Sequence, residues 1–366
     1  TLADIGNPVN AVAKIDGVWS TMETAELWID DWMTGPNNRI RIYTTETARH
    51  KGKWDENKYT ITQPNASGGI VQMREDYVTV DGLQVYNPYT GGTTNRYSIA
   101  NYTIGGDYSV VSNNIVRGIE AGTGVGIYIV TYGEGDRVKV FNNIVYDFEN
   151  SVCIGVRNSS SPATGNTHYV FNNIVNNCST GYLGEVDYKE KTIHQNNIAQ
   201  NCIIGFGDAS SNLDYFNALS SNNISSDGTA PGTNSLSSTT VSFVDSTNND
   251  FRLAETDTVA RNAGTSTPMN YSGDIIYDIQ GTLRGSNWDI GADEVTTEYV
   301  STICENTSAG GDCTELDYKS LSTWEDAVEV DLTATTTRVF SGTITGALDE
   351  NNTVTLYESG AITSIT

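Results

Sequence analysis

The sequence predicts an all-β fold, a right-handed single-stranded parallel β-helix in which each repeat forms one turn of a solenoid. Three observations predict it: a three-residue phrase recurs every 24 to 32 residues, β-prone runs precede the phrase, and helix-forming residues are scarce. A period of this length indicates stacked structural units. The phrase reads Asp81-Gly82-Leu83, Asn113-Asn114-Ile115, Asn142-Asn143-Ile144, Asn172-Asn173-Ile174, Asn196-Asn197-Ile198 and Asn222-Asn223-Ile224.

The first asparagine of each pair is predicted to occupy the turn after a strand, because asparagine tolerates left-handed backbone angles. Its side-chain amide can hydrogen-bond to the equivalent amides of the turns above and below. The isoleucine that follows is expected to point into the core. The predicted ladder consists of Asn113, Asn142, Asn172, Asn196 and Asn222.

Residues 1–45 are predicted to cap the first turn with a short helix. Ser20-Thr21-Met22-Glu23 fits a capping box. A solenoid end needs cover because it otherwise exposes core and unpaired backbone groups. The apolar side of the predicted helix is supplied by Ala25, Leu27, Trp28, Ile29, Trp32 and Met33.

Residues 46–300 are predicted to form the solenoid and its closing segment. The Asn-Asn-Ile-Val phrases resemble the parallel β-helix repeats of the pectin-lyase-like superfamily, of the large tandem-unit extracellular or phage-encoded type. The resemblance covers roughly residues 55–295 and implies the fold; the superfamily includes lyases, hydrolases, tailspikes, adhesins and inert fibres, so it does not imply one function. The closing segment is similar to that family at Asp250-Phe251-Arg252-Leu253, Ala260-Arg261-Asn262-Ala263-Gly264 and Asp289-Ile290-Gly291-Ala292-Asp293-Glu294.

Residues 301–366 are predicted to begin a second, similar unit with a cap helix and first strands. Ser322-Thr323-Trp324-Glu325 repeats Ser20-Thr21-Met22-Glu23, and Arg338-Val339-Phe340 corresponds to Arg41-Ile42-Tyr43. Matches in the same order at nearly one spacing favour a tandem array, or a tail that pairs with another chain. The predicted partners are therefore copies of the chain itself or neighbouring units.

The charge balance disfavours some partners. The chain has 20 Lys and Arg against 45 Asp and Glu, a net charge of −25 at pH 7. Such a surface repels phosphate, so nucleic acid and anionic membranes are poor partners, and no apolar run approaches the length of a membrane span. Calcium is a weak expectation, since no loop has the spacing of a known calcium motif; no cofactor is predicted.

The five cysteines predict little cross-linking. Cys304 and Cys313 bracket a short glycine-containing loop and are predicted to form a local disulfide, which indicates an oxidising compartment. Cys178 and Cys202 lie at the same position of adjacent repeats, and stacked buried thiols are favoured over a bridge. Cys153 is expected to be a lone core residue.

No catalytic residue is assigned, because no motif of pectate-lyase-like or polygalacturonase-like enzymes is found. His168 and His194 occupy different positions in their repeats and are interpreted as surface or turn residues. Two carboxylates about 5 to 9 Å apart could hydrolyse a glycoside. Acidic candidates near predicted strand ends are Glu134, Asp136, Asp147, Glu149, Glu185 and Asp187.

The leading functional hypothesis is a non-catalytic structural β-helix, a subunit or segment of an extracellular, cell-surface or virion-surface fibre. The alternatives are a carbohydrate-active enzyme on the same rod, either a polysaccharide lyase or a tailspike-like glycoside hydrolase, and an adhesin that binds surface glycans without turnover. The hypothesis of an enzyme predicts a groove lined by paired carboxylates and aromatic residues.

Overall fold

The chain forms a parallel β-solenoid of about six turns. The computed structural model describes residues 10–65, 68–91, 96–103, 107–132, 137–158, 167–186, 192–207, 216–266, 274–295, 297–304 and 338–345. The chain divides into two units, the first running to Glu294 without residues 285–287 and the second comprising those residues and residues 295–366. The solenoid belongs to the first unit.

Each turn contributes strands to three faces, and neighbouring turns pair in parallel, in register. The first face is a seven-stranded sheet whose members follow the chain order. Strands are numbered along the chain, and this face contains β1 (Ala11–Ile15), β3 (Ile40–Thr44), β6 (Val78–Asp81), β9 (Asp107–Ser112), β12 (Arg137–Phe141), β14 (Tyr169–Phe171) and β16 (Ile193–Gln195).

The second and third faces are joined into one twelve-stranded sheet, because two long strands, β13 (Ile144–Asn158) and β15 (Ile174–Val186), run through both. The second face also contains β4 (Thr60–Thr62), β7 (Gln84–Tyr86), β10 (Ile115–Arg117), β17 (Ile198–Gln200) and β19 (Ile224–Ser225). The third face also contains β2 (Leu27–Ile29), β5 (Gly69–Met73), β8 (Tyr97–Thr103), β11 (Val125–Thr131) and β18 (Ile204–Phe206).

The core is built from columns of equivalent side chains. Strand residues alternate between the two sides of a sheet, so in-register pairing places similar apolar residues above one another. The inward column of the first face is Val80, Val111, Val140, Val170 and His194, and that of the third face is Val71, Ile99, Ile127, Ile154, Tyr182 and Phe206.

The isoleucine after each asparagine pair is buried but does not form the inner column, contrary to the expectation. The next residue does: Val116, Val145 and Val175 belong to the core cluster. Ile174 and Ile198 instead lie against Gly291 of the closing segment. The second asparagine points inward, so alternation turns the isoleucine outward and the next residue inward.

The first phrase is shifted by one residue from its predicted alignment. Gln84 pairs with Ile115, so Gly82 is the equivalent of Asn113, and Leu83 is the equivalent of Asn114. Gly82 has a φ of 79°, the left-handed conformation that the asparagines adopt in later turns. The interval between these two turns is therefore 31 residues, since Ile115 is paired with Gln84.

The prediction of an N-terminal capping helix is wrong. Leu27–Ile29 is strand β2, paired in parallel with Val71–Met73 of β5. Glu23 does not close a capping box; its carboxylate accepts the backbone N–H groups of Thr24 and Ala25. A strand satisfies the backbone at the open edge of the third face, which a helix would leave unpaired. In the described residues, helical conformation is limited to two 3₁₀ turns, Ser246–Asn248 and Asp274–Ile276.

The closing segment returns along the solenoid after the last turn. It begins with the antiparallel pair β20 (Phe243–Asp245) and β21 (Asp250–Leu253). Phe251 then packs against Tyr146 of the second face, with ring centroids 4.9 Å apart. The described residues 260–266, 274–284 and 288–294 contain no long strand, and they reach back to earlier turns.

The second unit contains one described strand pair. Strand β22 (Thr297–Cys304) pairs in parallel with β23 (Arg338–Thr345) over eight residues. The first unit opens in the same way, with β1 paired in parallel with β3. The predicted helix at 322–327 and the Cys313 partner of the predicted disulfide lie outside the described residues.

Candidate functional site

The asparagine pairs form two parallel columns at the turn between the first and second faces. The first asparagines all adopt the left-handed conformation, with φ between 52° and 56°. Asn142 Nδ2 donates to Asn113 Oδ1 at 3.1 Å, and Asn196 Nδ2 to Asn172 Oδ1 at 3.4 Å. Three of the five, Asn142, Asn172 and Asn196, are fully buried, and Asn113 is 9% exposed. Asn222 is half-buried, and its Nδ2 donates to Ala263 O.

The second asparagines form the more regular ladder, which the sequence analysis did not assign. From Asn114 to Asn197, both the backbone N–H and Nδ2 donate to Oδ1 of the next turn's asparagine, as Asn143 does to Asn173 at 2.9 and 3.0 Å. At the last turn, the backbone N–H of Asn223 donates to Ser235 Oγ instead. Nδ2 also reaches a strand carbonyl of the preceding turn, Val111 O at 2.9 Å. The doubled asparagine was the available signal. The ladder residues are Asn114, Asn143, Asn173, Asn197 and Asn223.

The closing segment covers the outer asparagine column. Asn222 Nδ2 donates to Ala263 O at 2.8 Å, and Asn196 exchanges two hydrogen bonds of 2.9 Å with the backbone of Thr265. Asn142 Nδ2 donates to Tyr277 O at 2.7 Å. The outer amides are therefore used to hold the returning chain, and the column is not an open ligand site.

Arg284 anchors this cover. Its side chain is fully buried and pairs with Glu294, with Nη1 3.0 Å from Oε2. Nη2 donates to Asn142 Oδ1 at 3.0 Å and to the carbonyls of Gly291 and Ala292. One guanidinium thus joins Asn142 of the outer asparagine column to the closing segment, and its charge is balanced by a buried carboxylate.

Two further carboxylates are buried beside Arg284. Asp278 accepts backbone N–H groups from Gln280, Thr282 and Glu294. Asp293 accepts from Leu253 N at 2.9 Å and Gln280 Nε2 at 2.7 Å. Burial raises the pKa of both carboxyls, and the neighbouring Asp278 charge raises the pKa of Asp293 further. A raised pKa is typical of catalytic acids. Here, however, the carboxylate oxygens of Asp278 and Asp293 accept hydrogen bonds that fix the backbone and Gln280 of the closing segment.

The first turns are covered by residues 44–53 and Asp81. Arg49 forms a two-pronged pair with Asp81, at 3.1 and 3.3 Å, and Asn113 Nδ2 donates to the same carboxylate at 2.7 Å. Burial alone would raise the pKa of Asp81, but Arg49 and these hydrogen bonds lower it. His50 Nε2 lies 2.9 Å from Asn113 O.

The acidic candidates from the sequence do not converge on a groove in the described residues. Asp147 and Glu149 lie together, because both accept from Asn177 Nδ2 at 3.1 Å. Asp147 and Asn177 both adopt the left-handed conformation. These two residues therefore form a second column of stacked turns, separate from that of the asparagine pairs. Glu134, Asp136 and Asp187 lie outside the described residues, as does the side chain of Glu185.

The histidines are buried, so their interpretation as surface or turn residues is wrong. His194 continues the inward valine column, paired with Val170, and packs edge-on against Tyr182 and Phe216. His168 Nε2 lies 3.2 Å from Thr131 Oγ1. Burial lowers the pKa of His194 to about 3 and that of His168 to about 4. Neither is placed for proton transfer at neutral pH.

The cysteine arrangement also differs from the expectation. Cys153 and Cys178 form a disulfide with Cα atoms 5.9 Å apart, and Cys202 is a free thiol. The register between β13 and β15 shifts between Phe148 and Val152, and this irregularity brings Cys153 alongside Cys178. The alignment of repeats by phrase could not reveal it. The bridge ties two turns together.

A cluster of cations and tyrosines lies on the outside of the first face; we call it the cationic face. The rings of Tyr77 and Tyr108 lie 6.4 Å apart. Arg39 lies 5.9 Å from the Tyr77 ring centroid, and Arg137 and Lys139 lie 5.7 and 5.5 Å from that of Tyr108. The cationic face consists of Arg39, Arg41, Tyr77, Tyr108, Arg137 and Lys139. Their alternation with buried residues, as in Arg39-Ile40-Arg41, was the signal in the sequence.

A cluster of acids and tryptophans lies at the N-terminal edge of the third face; we call it the acidic edge. Trp28 Nε1 donates to Glu26 at 2.8 Å, and Glu75 accepts the backbone N–H of Trp32 at 2.9 Å. Both tryptophans are 44% exposed. Arg74 pairs with Asp30 at 3.4 Å and stacks on Trp28. The acidic edge consists of Glu26, Trp28, Asp30, Asp31, Trp32 and Glu75.

Two classes of site are not found in the part of the chain that the structure describes. No three or more His, Cys, Asp or Glu side chains there are grouped to hold a metal ion. None of those residues belongs to a helix long and apolar enough to cross a membrane.

The comparisons with known proteins find a likeness among solved structures. No family model matches the chain, and no curated protein matches it. Among solved structures it is similar to the crystal structure of pectate lyase Pel9A, with 14% identity over 78% of this chain and 86% of that chain, and a TM-score of 0.31. The parallel β-solenoid is established by the strand registers above.

Proposed function

We propose that this chain is a non-catalytic structural segment of an extracellular, cell-surface or virion-surface fibre, and that it associates with copies of itself. The observation that carries the proposal is the second unit, which opens with a parallel strand pair as the first unit does. A chain that starts its own fold again is typical of tandem arrays, in which each unit stacks on its neighbour.

The use of the polar groups supports a structural role. The asparagine amides are bonded to each other and to the closing segment, and Arg284, Asp278 and Asp293 hold turns. Catalytic groups need access to a reacting atom, whereas these are buried and engaged. The Cys153–Cys178 bridge favours an oxidising, extracellular compartment.

The proposal is tested by imaging and sedimentation of the purified full chain over a range of concentrations. We expect particles that lengthen with concentration, because units that stack end to end or side by side grow by mass action. In parallel, the chain is incubated with acidic and neutral polysaccharides. A chain that stays monomeric throughout, or that releases reducing ends or unsaturated products, contradicts the proposal.

A glycoside hydrolase is the second candidate, and one observation favours it. Asp147 and Glu149 share the Asn177 amide, so two carboxylates lie close together at a turn. Retaining glycosidases hold two carboxyl groups at about 5 to 5.5 Å. Turnover that is lost in both Asp147→Asn and Glu149→Gln, and kept in Asp245→Asn, would identify this pair as catalytic.

A further inference from the structure

Three cysteines occupy consecutive turns of the solenoid, near the point where β15 passes from the second face to the third. Cys153 and Cys178 form the disulfide, with Cα atoms 5.9 Å apart. Cys202, in the next turn, is a free thiol; the residue is half-buried, and its side chain packs against the same core cluster as the bridge. Cys178 is therefore the middle member of the series, with an oxidised partner on one side and a reduced cysteine on the other.

The strand register places Cys202 directly beside Cys178. Asn176 pairs with Gln200, and Ile203 N donates to Cys178 O at 3.0 Å, so the same alignment continues through both cysteines. Neighbouring strands lie about 4.8 Å apart. A disulfide spans Cα separations of about 4.4 to 6.8 Å, so Cys178 and Cys202 are close enough to be bridged without movement of the backbone.

The two side chains have the same orientation. Cys178 Sγ lies 3.5 Å from Asn176 O, which is two residues earlier in the chain. Cys202 Sγ likewise lies 3.5 Å from Gln200 O, two residues earlier. A Cβ atom at Gly181 would lie 3.2 Å from Cys202 Sγ, so this sulfur reaches back toward the strand that contains Cys178.

We propose that Cys202 exchanges with the disulfide and moves the bridge by one turn. The Cys202 thiolate attacks Cys178 Sγ, and the Cys178–Cys202 bond forms as the Cys153–Cys178 bond breaks. Cys153 leaves as a thiolate and takes up the proton that Cys202 lost. One thiol and one disulfide are present before and after, so the step needs no oxidant or reductant. The exchange is independent of the proposed fibre role.

The order of the turns favours this exchange. In thiol–disulfide exchange a thiolate attacks one disulfide sulfur, and the incoming and leaving sulfurs lie on opposite sides of that atom. Here Cys153 comes from the turn before Cys178, and Cys202 comes from the turn after it. The released thiol also has an acceptor in place, because Cys153 Sγ lies 3.4 Å from Val145 O.

The surroundings of Cys202 make the exchange slow at neutral pH and faster in base. Burial, and to a smaller extent the Asp227 carboxylate, raise the pKa of the Cys202 thiol to about 12, while the backbone N–H of Cys178 opposes the shift. Tyr182 also faces this thiol, and its phenol stays neutral because burial raises its pKa. Below the pKa of Cys202 the thiolate fraction, and with it the exchange rate, rises about tenfold per pH unit.

Disulfide mapping of the full chain tests the proposal. The background carries Cys304→Ser and Cys313→Ser, so that only the three solenoid cysteines remain. The folded protein is incubated at pH 7, 8 and 9 and quenched in acid, and its free thiol is then labelled with N-ethylmaleimide in guanidinium chloride. Tryptic cleavage at Arg157 and Lys189 separates the three cysteines into different peptides.

We expect the label to move from Cys202 to Cys153 with time, about tenfold faster for each added pH unit. The rate should not change with protein concentration, because all three sulfurs belong to one chain. A label that stays on Cys202 at every pH overturns the exchange. A label that moves at a rate proportional to protein concentration also overturns it, since the attacking thiol then belongs to another molecule.

Two matched variants test the geometry separately. Cys153→Ala removes the leaving sulfur and, refolded with reduced and oxidised glutathione, should contain Cys178–Cys202 as its disulfide. Cys178→Ala leaves two cysteines that are two turns apart, and these should remain free thiols under the same conditions. Circular dichroism and melting temperature verify that each variant is folded. A folded Cys153→Ala protein with two free thiols contradicts the stacking of Cys178 and Cys202, whereas none of these outcomes bears on assembly into a fibre.

Discussion

A buried asparagine in this solenoid satisfies its own amide and that of the neighbouring turn at once. Asn173 Oδ1 accepts two hydrogen bonds from Asn143, and its Nδ2 donates to Val140 O, Phe171 O and Asn197 Oδ1. A buried polar group is stabilising only when its partners are present. Each amide therefore depends on the residue of the same kind one turn away.

Replacing Asn173 by alanine should destabilise the fold by about 3 kcal/mol, because it leaves the Asn143 donors without an acceptor in a buried site. Denaturant unfolding followed by circular dichroism measures this. The control is Asn57→Ala, an exposed residue whose loss should change stability by less than about 0.5 kcal/mol. Equal effects at the two positions would show that the ladder is not stabilising.

The inward position of His194 predicts acid sensitivity. Its pKa is lowered to about 3 by burial, so between that value and the ordinary pKa of about 6.5 the unfolded chain binds a proton that the folded protein does not. Its contribution is fully present above pH 6.5 and falls as the pH falls, by about 2 kcal/mol at pH 5.

The variant His194→Val tests this, since valine occupies the equivalent position in the four preceding turns. We expect the loss of unfolding free energy between pH 7.5 and pH 5 to be smaller in the variant than in the wild type. The same loss in both proteins would mean that His194 does not titrate on unfolding.

At the scale of elements, the closing segment acts as a lateral clamp on the turns. Its hydrogen bonds reach from the turn of Asn222 to that of Asn142, and Gly291, with φ of 107°, fits against Ile174 and Ile198 where a Cβ would clash. The clamp depends on Arg284, because that side chain joins Asn142 to Glu294.

Arg284→Ala should therefore cost about 3 to 5 kcal/mol, as expected when one partner of a buried ion pair is removed and the other is left unpaired. Thermal unfolding and hydrogen exchange at residues 260–294 measure the effect, with the exposed Lys51→Ala as the control. Arg284→Ala stability equal to that of Lys51→Ala would rule out the clamp.

The sequence was informative about elements that repeat and less so about those that occur once. The asparagine phrases predicted the turns and the parallel stacking, because in-register pairing forces equivalent residues together. The helix at 20–33 was wrong because Leu27, Trp28 and Ile29 fit both a helical and a strand pattern, and β5 supplied the backbone partners. The Cys153–Cys178 bridge depends on a register shift between β13 and β15, which the repeated asparagine phrases do not reveal.

The same contrast holds for the candidate sites. The first asparagine of each pair was singled out, whereas the second forms the continuous ladder, since the direction in which each side chain points is set by the turn. The cationic face gathers residues from four strands, β3 to β12. Its members are far apart along the chain, so only the register brings them together.

At the scale of the whole molecule, buried groups make stability depend on pH in opposite directions. The three histidines lower it as the pH falls below about 6.5. The raised pKa of Asp293 acts the other way: its contribution is fully present below the unfolded pKa of about 3.8 and is lost as the pH rises through the folded value. We therefore expect these four groups to oppose one another between pH 5 and pH 7.

Asp293→Asn should flatten the alkaline side of this profile, because the amide does not ionise and keeps an oxygen for Leu253 N. We expect the variant to lose less unfolding free energy than the wild type between pH 5 and pH 8. Denaturation at the two pH values measures it, with Asp31→Asn, at an exposed carboxylate, as the control. If Asp293→Asn loses as much unfolding free energy between pH 5 and pH 8 as the wild type does, Asp293 does not cause this pH dependence.

The position of the clamp at the end of the first unit has a consequence for biosynthesis. The ribosome releases every turn of the solenoid before it releases Ala263, Tyr277 and Gly291, whose carbonyls later accept hydrogen bonds from the outer asparagine column. In a nascent chain, water must therefore hydrogen-bond to the outer asparagines until the closing segment is made. A chain that ends before residue 260 leaves these asparagines exposed to water, proteases and other incomplete chains.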